Sequence, residues 1–444
     1  MPASRGAMPN RSIRLWAFIA AMAGLLFGFD TAVISGAEQA IQRVWRMGDA
    51  LHGLAISSAL WGTVIGALFG NIPSDRFGRK PTLIAIGALY VVSAIGSAVA
   101  WDPWSFIFFR FLGGLGVGAS TIAAPAYIAE IAPPAWRGRL GVLFQTMIVT
   151  GILVAYISNM LIAGSGPDDW RFMLGTVAVP SIVFLLAMFL VPESPRWLLL
   201  HRGDEAQAAR ILALAGASID EVKATIDPAA DKGMPLGRFF DGRLRRPIRL
   251  AVLLAFFNQL SGINAIIYFA PRIFDLTGGG ANTSLMATVG VGVVNLIFTL
   301  IGMSLIDHAG RRRLMLIGSI GYIVSLTMVA YGFAAQRYAL VPYCIFAFIA
   351  AHAIGQGAVI WVYISEIFPT AARATGQALG TGTHWVLAAI LTLVMPSLLT
   401  SVAPAYIFGF FAAFMVLQLL FTIFLMVETR GRSLEDVATG LVRD

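Results

Sequence analysis

The sequence carries two short charged blocks of nearly the same composition, 232 residues apart in an otherwise apolar chain. The first is Asp-Arg-Phe-Gly-Arg-Lys at residues 75–80, and the second is Asp-His-Ala-Gly-Arg-Arg at residues 307–312. A chain that repeats its charged residues at a fixed offset is built from two copies of one unit. Three more charged residues recur at an offset of 235 or 236: Glu130 as Glu366, Arg137 as Arg373 and Glu193 as Glu428.

Between these residues, the chain has too few polar groups to cover a folded protein in water. Only 12% of its residues are charged and its mean hydropathy is +0.80, whereas soluble domains carry about 25% charged residues. Runs of about 20 apolar residues span the hydrocarbon layer as helices. The sequence predicts an all-α polytopic membrane protein, with twelve transmembrane helices in two pseudo-symmetric six-helix bundles. The predicted spans are 13–35, 52–72, 81–100, 104–128, 140–164, 171–191, 248–276, 281–306, 314–334, 340–364, 374–398 and 403–427.

The polar segments divide the chain and predict its orientation. If both termini face the cytoplasm, 25 of the 31 Lys and Arg residues fall on cytoplasmic segments, as the positive-inside bias requires. We therefore expect a multi-pass protein of the cell membrane with both termini cytoplasmic. The basic charge then indicates topology and not a nucleic-acid partner. The predicted units are a bundle at 1–193, a cytoplasmic linker at 194–247, a second bundle at 248–428 and a cytoplasmic tail at 429–444.

Two segments of the linker have the pattern of short amphipathic helices. They are residues 204–214 and 218–226, the second with Ser218 as its N-cap and acidic residues in its first turn. These helices form either a surface linker or a latch between the two bundles.

Glycine and proline interrupt two of the predicted spans close to polar residues. Span 7 contains Gly262 and Pro271, and span 10 contains Gly355. Interrupted helices point to a substrate site near the bilayer midplane. Amide side chains both donate and accept hydrogen bonds, which suits hydroxyl groups, and no charged residue is prominent among them. For any single residue, interhelical hydrogen bonding is the alternative role. The candidate substrate-binding residues are Gln145, Asn258, Gln259, Asn264, Tyr268, Asn295, Trp361, His384 and Trp385.

Asp30 and Arg110 are charged residues inside predicted spans 1 and 4. A charge at the centre of a membrane helix costs about 2.5–3.5 kcal/mol on insertion scales, so each needs a partner or a purpose. The predicted topology places both in the extracellular half of the membrane, where they can pair. A pair that forms in one conformation and breaks in another would let Asp30 bind and release a proton. A permanent structural ion pair is the alternative.

The sequence shows no pattern of a catalytic or metal site. It has no Ser-His-Asp or Cys-His arrangement, its histidines lack metal-ligand spacing, and Cys344 is its single cysteine. We expect no enzyme activity, no metal and no cofactor.

The chain resembles the sugar porter branch of the major facilitator superfamily over essentially its whole length. The two charged blocks are similar to the paired loop motif of the superfamily. Further signatures of the branch are Pro192–Leu198, Gln259–Asn264, Ser365–Pro369 and Glu428–Asp436. The resemblance implies two six-helix bundles that rock around a central site, with Tyr268 near the outer gate. It implies that the sugar contacts are Gln145, Gln259, Asn264, Asn295 and Trp361.

The resemblance also implies roles for the charged residues. Asp30 and Arg110 match the Asp–Arg pair of proton-coupled members. A cytoplasmic gate that is closed when the site faces outward would contain Asp75, Arg79, Glu130, Arg137, Glu193, Asp307, Arg311, Glu366, Arg373 and Glu428.

Three residues depart from the pattern of the branch. Asn258 replaces the first Gln of a frequent Gln-Gln pair, His384 replaces an amide residue and Asn71 replaces a small glycine. The first two lie where the sugar would bind, so the identity of the substrate is the least transferable expectation.

These observations predict a monomeric secondary transporter that imports a monosaccharide with a proton by alternating access. A sugar uniporter and a polyol or cyclitol symporter of the same fold are the alternatives. A transporter-like sugar sensor, which a long signalling tail would favour, is a third hypothesis.

Overall fold

The computed structural model describes residues 10–224, 234–432, 436–437 and 440–441. Within these residues, twelve helical spans are long and apolar enough to cross a bilayer. Each predicted span is present, so the prediction of twelve membrane helices is confirmed. Spans 1 to 12 are Arg11–Val44, Asp49–Phe69, Arg79–Ala98, Pro103–Ile131, Arg137–Ile162, Asp169–Met188, Arg245–Asp275, Gly280–Ala309, Arg311–Ala334, Tyr338–Glu366, Thr370–Ser401 and Pro404–Phe424.

Span 1 extends nine residues beyond its predicted end at residue 35. The apolar run ends there, but the helix continues to Val44 because the polar residues of its last turns find partners. Glu38, for example, is fully buried against His52 of span 2. Hydrophobicity therefore marks the part of the helix that lies in lipid and not its whole length.

The linker contains the two predicted short helices. Glu205–Ala215 begins after Asp204, whose carboxylate accepts a hydrogen bond from the Gln207 amide at 2.9 Å. Ser218 caps Ile219–Ala224 by accepting from the Glu221 amide at 3.2 Å, as predicted. Residues 225 and 226 of the predicted helix lie outside the described residues. The other short helices between spans are Asn71–Phe77, Pro134–Trp136, Pro195–Trp197, Leu198–Arg202 and Leu236–Phe239.

The spans pack as two sets of six that meet along a central seam. In the first set, span 1 packs on span 5 and span 2 on span 4; in the second, span 9 packs on spans 10 and 12. Across the seam, span 2 contacts span 11, span 5 contacts span 8, and span 1 contacts the end of span 7. We call spans 1–6 the N-half and spans 7–12 the C-half. The domain boundaries at residues 193 and 247 stay predictions.

The ends of the spans lie at two faces of the bundle. The face that carries Arg79 and Arg311, where spans 3 and 9 begin, is called the basic face. The other, where span 1 ends at Val44 and span 7 ends at Asp275, is called the opposite face.

Glycines allow spans 2 and 4 to approach each other to backbone contact. A methyl group on Gly114 would overlap the carbonyl oxygen of Ala59, and one on Gly118 would overlap that of Thr63. Spans 2 and 4 are thus in backbone contact at these two glycines. Van der Waals packing of small residues is a main source of helix association in lipid.

Replacement of Gly114 by alanine is expected to destabilise the protein, because the new methyl group has no space. Overpacking costs about 1–3 kcal/mol, and thermal unfolding of the purified protein in detergent measures it. Gly116→Ala on the same helix is the matched control, since its methyl group would lie 3.5 Å from Leu89, an ordinary contact. Equal melting temperatures of the two variants would contradict the packing argument.

Candidate functional site

Spans 7 and 10 are each divided into two helices inside the bundle. Span 7 consists of Arg245–Leu260 and Ile263–Asp275, with Gly262 between them at φ +83°, where a side chain would also collide with Phe411. Span 10 breaks at Gly355, whose Cα lies against Gly318 of span 9. Both predicted interruptions are present, and each leaves polar side chains at a helix end within the protein interior.

A cluster of amides lies at the break in span 7. Asn264 donates to the side-chain oxygen of Gln259 at 2.6 Å, and Gln259 donates to that of Asn258 at 3.1 Å. The Gln259 nitrogen also lies 3.1 Å from both ring nitrogens of His384 on span 11, of which one accepts in a neutral ring. All four side chains are at least nine-tenths buried. The structure thus brings four of the predicted residues into one hydrogen-bonded set, the amide cluster.

Aromatic rings border the amide cluster. The His384 ring lies 4.9 Å from that of Trp361 and 4.7 Å from that of Trp385, between ring centroids. Trp385 also contacts Phe27 of span 1 at 5.7 Å between ring centroids. Trp361, Trp385 and Phe27 together form an aromatic wall that includes residues of both halves. Trp361 is 36% exposed, and the buried indole nitrogen of Trp385 has no hydrogen-bond partner among the described residues. The wall therefore offers flat apolar surface together with an unused donor.

Three predicted residues lie outside this hydrogen-bonded set. Gln145 is half-buried on span 5, and its side chain forms no hydrogen bond with another described residue. The Asn295 oxygen is 3.4 Å from the Thr299 hydroxyl of its own helix. Tyr268 is buried on the second helix of span 7, Ile263–Asp275. None of these three side chains is hydrogen-bonded to the amide cluster between described residues.

Sequence reasoning missed three polar residues behind the amide cluster. Asn258 donates to Gln356 at 2.9 Å, Gln356 donates to Gln418 at 2.5 Å, and Gln418 donates to the Ser319 hydroxyl at 2.8 Å. Gln356, Gln418 and Ser319 are fully buried. The position of Gln356 next to the break at Gly355 was the signal that could have identified it, while Gln418 is a lone amide in an apolar span.

Asp30 and Arg110 form a buried ion pair in the N-half. The Arg110 guanidinium donates to the Asp30 carboxylate at 2.5 Å and to its backbone carbonyl at 3.1 Å, and both residues are at least 98% buried. Tyr268 of span 7 lies within electrostatic range of both charges. The predicted contact is thus present, and it lies beside the helix that carries Asn264.

Polar contacts join the two halves at the opposite face, and no sequence pattern indicated them. The fully buried Glu38 accepts from His52 at 2.8 Å within the N-half, and Arg272 of the C-half lies 3.5 Å from the same carboxylate oxygen. Arg272 also donates to Gln42 at 3.3 Å. Two further hydrogen bonds cross the seam, from Thr400 to Asp49 at 2.6 Å and from Tyr156 to the Ile267 carbonyl at 3.0 Å.

At the basic face of the N-half, Arg79 is the centre of a charge cluster. It lies 3.1 Å from Asp75 and 3.0 Å from Glu130. Glu193 accepts from the backbone amides of Arg79 and Lys80 at 3.0 and 3.2 Å. Burial raises the pKa of the Glu193 carboxyl, and these backbone hydrogen bonds oppose the change.

The C-half repeats this cluster around Arg311. The guanidinium lies 3.3 Å from Asp307 and 2.8 Å from Glu366, while Glu428 accepts from the Arg311 and Arg312 backbone amides at 2.9 and 3.1 Å. Each of these ion pairs joins residues of one half.

The two remaining residues of the expected gate bind other partners in this structure. Arg137 donates to the Ala129 carbonyl at 3.1 Å, and Arg373 lies 3.4 Å from the Thr370 hydroxyl. Neither is among the ion pairs that the structure shows between described residues.

Comparison with known proteins identifies the family. A family model described as sugar (and other) transporter matches residues 16–441. This chain belongs to the sugar transporter family. It is 36% identical to an arabinose-proton symporter of Bacillus subtilis (strain 168), over 94% of this chain and 92% of the relative. It is 33% identical to a D-xylose-proton symporter of Escherichia coli (strain K12), over 94% of each chain.

Solved structures of the sugar transporter family match the fold. The xylose transporter XylE from E. coli, in a partially occluded inward open conformation, aligns with a TM-score of 0.84 and 30% sequence identity. The alignment covers 95% of this chain and 99% of XylE. The resemblance to sugar porters is therefore confirmed, and the chain is a multi-pass membrane protein.

Removal of the Arg272 side chain is expected to loosen the contact between the halves at the opposite face. A cysteine at Thr392, fully buried in span 11, reports such opening through its rate of modification by a maleimide in a Cys344→Ser background. We expect Arg272→Ala to raise this rate about fivefold, because a partly exposed ion pair contributes about 1 kcal/mol or less.

Arg337→Ala is the control for the loss of a positive charge, since Arg337 is exposed near the same face. An unchanged rate in Arg272→Ala, or an equal rise in both variants, would show that Arg272 does not hold the halves together.

Proposed function

We propose that this protein imports a monosaccharide together with a proton through the cell membrane, as a monomer, by alternating access. The observation that carries the proposal is the position of Tyr268. It lies within electrostatic range of the Asp30–Arg110 pair, on a helix that packs against span 1 and also carries Asn264 of the amide cluster. One short helix thus adjoins both a titratable ion pair and a set of groups suited to hydroxyls. The proton-coupled pentose symporters among its relatives support this reading.

The amide cluster and its aromatic wall suit a neutral, hydroxyl-rich substrate. Sugar hydroxyls both donate and accept, and the amides of Gln259 and Asn264 do the same. The exposed face of Trp361 suits the C–H surface of a sugar ring, and the free indole N–H of Trp385 suits one of its oxygens. Gln145 and Asn295 complete the proposed site from spans 5 and 8, and Tyr268 lies at its outer end.

The Asp30–Arg110 pair supplies the proposed proton site. In the present conformation the guanidinium balances the carboxylate, so the site carries no net charge. Separation of the pair would leave the Asp30 carboxylate without its partner inside the membrane, where an unpaired charge is costly. Binding of a proton by Asp30 removes this charge, which links protonation to the conformation of the N-half.

We further propose that the basic face is cytoplasmic and that the present structure faces inward. The contacts of Arg272 and Thr400 close the opposite face, while the Arg79 and Arg311 clusters each bind within one half. Closure at the basic face would bring these two clusters together as the gate of the outward-facing state, with Arg137 and Arg373 between them. Partly desolvated charge pairs at helix ends are bistable elements of this kind.

Replacement of Asp30 by asparagine is expected to abolish proton-driven sugar accumulation while leaving exchange intact. Asparagine keeps the size of the side chain and cannot bind the proton. Uptake of D-xylose and D-glucose into proteoliposomes, with and without an inward proton gradient, measures accumulation; counterflow measures exchange.

Asp168→Asn is the matched control, because Asp168 is an exposed residue at a loop and binds Arg171. Accumulation that persists in Asp30→Asn would exclude Asp30 as the coupling residue. A wild-type protein that equilibrates sugar without accumulating it would indicate a uniporter.

Truncation of Gln259 or Asn264 to alanine is expected to weaken sugar binding. Each change leaves a buried hydrogen-bonding group without its partner, at a cost of about 1–3 kcal/mol. Titration of the purified variants with D-xylose and D-glucose measures the dissociation constant. Gln207→Ala, an exposed glutamine of the linker, is the control. Unchanged binding in both amide variants would place the sugar elsewhere.

A further inference from the structure

The hydrogen bonds behind the amide cluster run in a single direction. They begin at Ser319 of span 9, whose hydroxyl donates to the Met315 carbonyl of the preceding turn at 2.7 Å. Because its one hydrogen is used there, the Ser319 oxygen can only accept from Gln418. The Gln418 nitrogen lies 2.8 Å from that oxygen. A backbone carbonyl therefore sets the orientation of the first amide.

Each following amide takes its orientation from the one before it. The Gln418 nitrogen faces Ser319, so its oxygen faces Gln356 and accepts from the Gln356 nitrogen at 2.5 Å. The Gln356 oxygen then accepts from the Asn258 nitrogen at 2.9 Å. A flip of any one amide would place two N–H groups or two oxygens against each other in a buried site, where unpaired polar groups are costly.

The same direction continues into the amide cluster. The Asn258 oxygen accepts from Gln259 at 3.1 Å, and the Gln259 oxygen accepts from Asn264 at 2.6 Å. The second N–H of Gln259 faces the His384 ring. Asn264 is the last member and the most accessible amide of the series, at 8% exposure. One of its two N–H groups donates to Gln259, and its oxygen, on the other side of the amide, has no partner among the described residues and is left to accept.

We propose that Ser319, Gln418 and Gln356 form a positioning relay that selects which sugar hydroxyl geometry the site accepts. The proposal rests on the sugar-binding function proposed above. None of the three belongs to the amide cluster or its aromatic wall, yet together they hold the Asn264 oxygen as an acceptor. The site then requires a hydroxyl donor at the sugar position beside Asn264, and it discriminates against a group that only accepts.

A purely structural role would not make sugar binding depend on whether each amide donates or accepts a hydrogen bond. A polar set that only joined spans 9 and 12 would be complete with Gln418, Ser319 and one donor to the Gln418 oxygen. The observed series instead continues through Gln356, directly after the break at Gly355, and reaches Asn258. The series thereby connects Ser319 of span 9 to the proposed substrate site through residues of spans 12, 10 and 7.

The test compares the binding of D-glucose with that of its 2-, 3-, 4- and 6-deoxy and deoxyfluoro analogues, by titration of the purified protein. Fluorine accepts weakly and cannot donate. In the wild type, we expect one position at which the deoxyfluoro and deoxy analogues both bind at least about tenfold more weakly than D-glucose. That position identifies the hydroxyl beside Asn264.

Ser319→Ala is expected to change this pattern, because Gln418 loses the acceptor that orients it and the amides can reverse. D-Glucose should bind more weakly, while the deoxyfluoro analogue at that position should bind several-fold better than the deoxy analogue. Gln418→Met should have the same effect, and Ser319→Thr, which keeps the hydroxyl, should restore the wild-type pattern.

Ser325→Ala is the matched control. Ser325 lies on the same span, is buried, and donates to its own helix at the Gly321 carbonyl, but it has no bond to the relay. Its analogue pattern should equal that of the wild type. An unchanged pattern in both Ser319→Ala and Gln418→Met would overturn the relay while leaving the sugar-binding function intact.

Failure of the proposed function gives a different result, since the wild type would then bind none of the sugars. In that case thermal unfolding still tests the relay. The double variant Ser319→Ala/Gln356→Leu should lose less stability than the sum of its single variants, because the two residues belong to one network. Additive losses would overturn the relay.

Discussion

Polar groups inside a bilayer have no water to bind, and this constraint organises the whole interior of the bundle. Each charged or amide side chain that enters the hydrocarbon region must find its partner within the protein. The carboxylate of Asp30 is therefore paired with Arg110, and the amide of Gln418 is hydrogen-bonded to Ser319. These sets join helices that are distant in sequence. They also place charged and hydrogen-bonding side chains where lipid and water are both excluded.

The two halves have the same arrangement of charged residues at the basic face and different polar residues in their interiors. Arg79 and Arg311 bind equivalent carboxylates, and Glu193 and Glu428 accept backbone hydrogen bonds at equivalent helix starts. The repeat therefore preserves the elements at the basic face. The interior has diverged: the N-half holds the ion pair of Asp30, and the C-half holds the divided spans and the amides. In the proposed function, the proton site therefore lies in the N-half, and most of the sugar contacts lie in the C-half.

The sequence predicted the features that depend on local pattern. Twelve apolar runs gave twelve spans, and glycine breaks identified the amides of span 7. The topology also brought Asp30 and Arg110 to the same depth. Contacts between distant spans left no local signal: Asn258 and Gln356 are 98 residues apart, and Glu38 and Arg272 are 234 apart. The neighbours of these residues in the sequence do not indicate their partners, so only the packing of the spans reveals these contacts.

The outer helix of span 7, Ile263–Asp275, connects the proposed functions. Asn264 and Tyr268 are spaced four residues apart, which places them on one side of the helix, and Arg272 follows after a kink at Phe269. The first donates to Gln259 across the break at Gly262, the second lies within electrostatic range of Asp30 and Arg110, and the third contacts Glu38 at the opposite face. The three contacts all lie on this 13-residue segment, on either side of its kink. In the proposed function, a movement of the segment relative to the break at Gly262 would therefore change the sugar site, the surroundings of the proton site and the closure of the opposite face together.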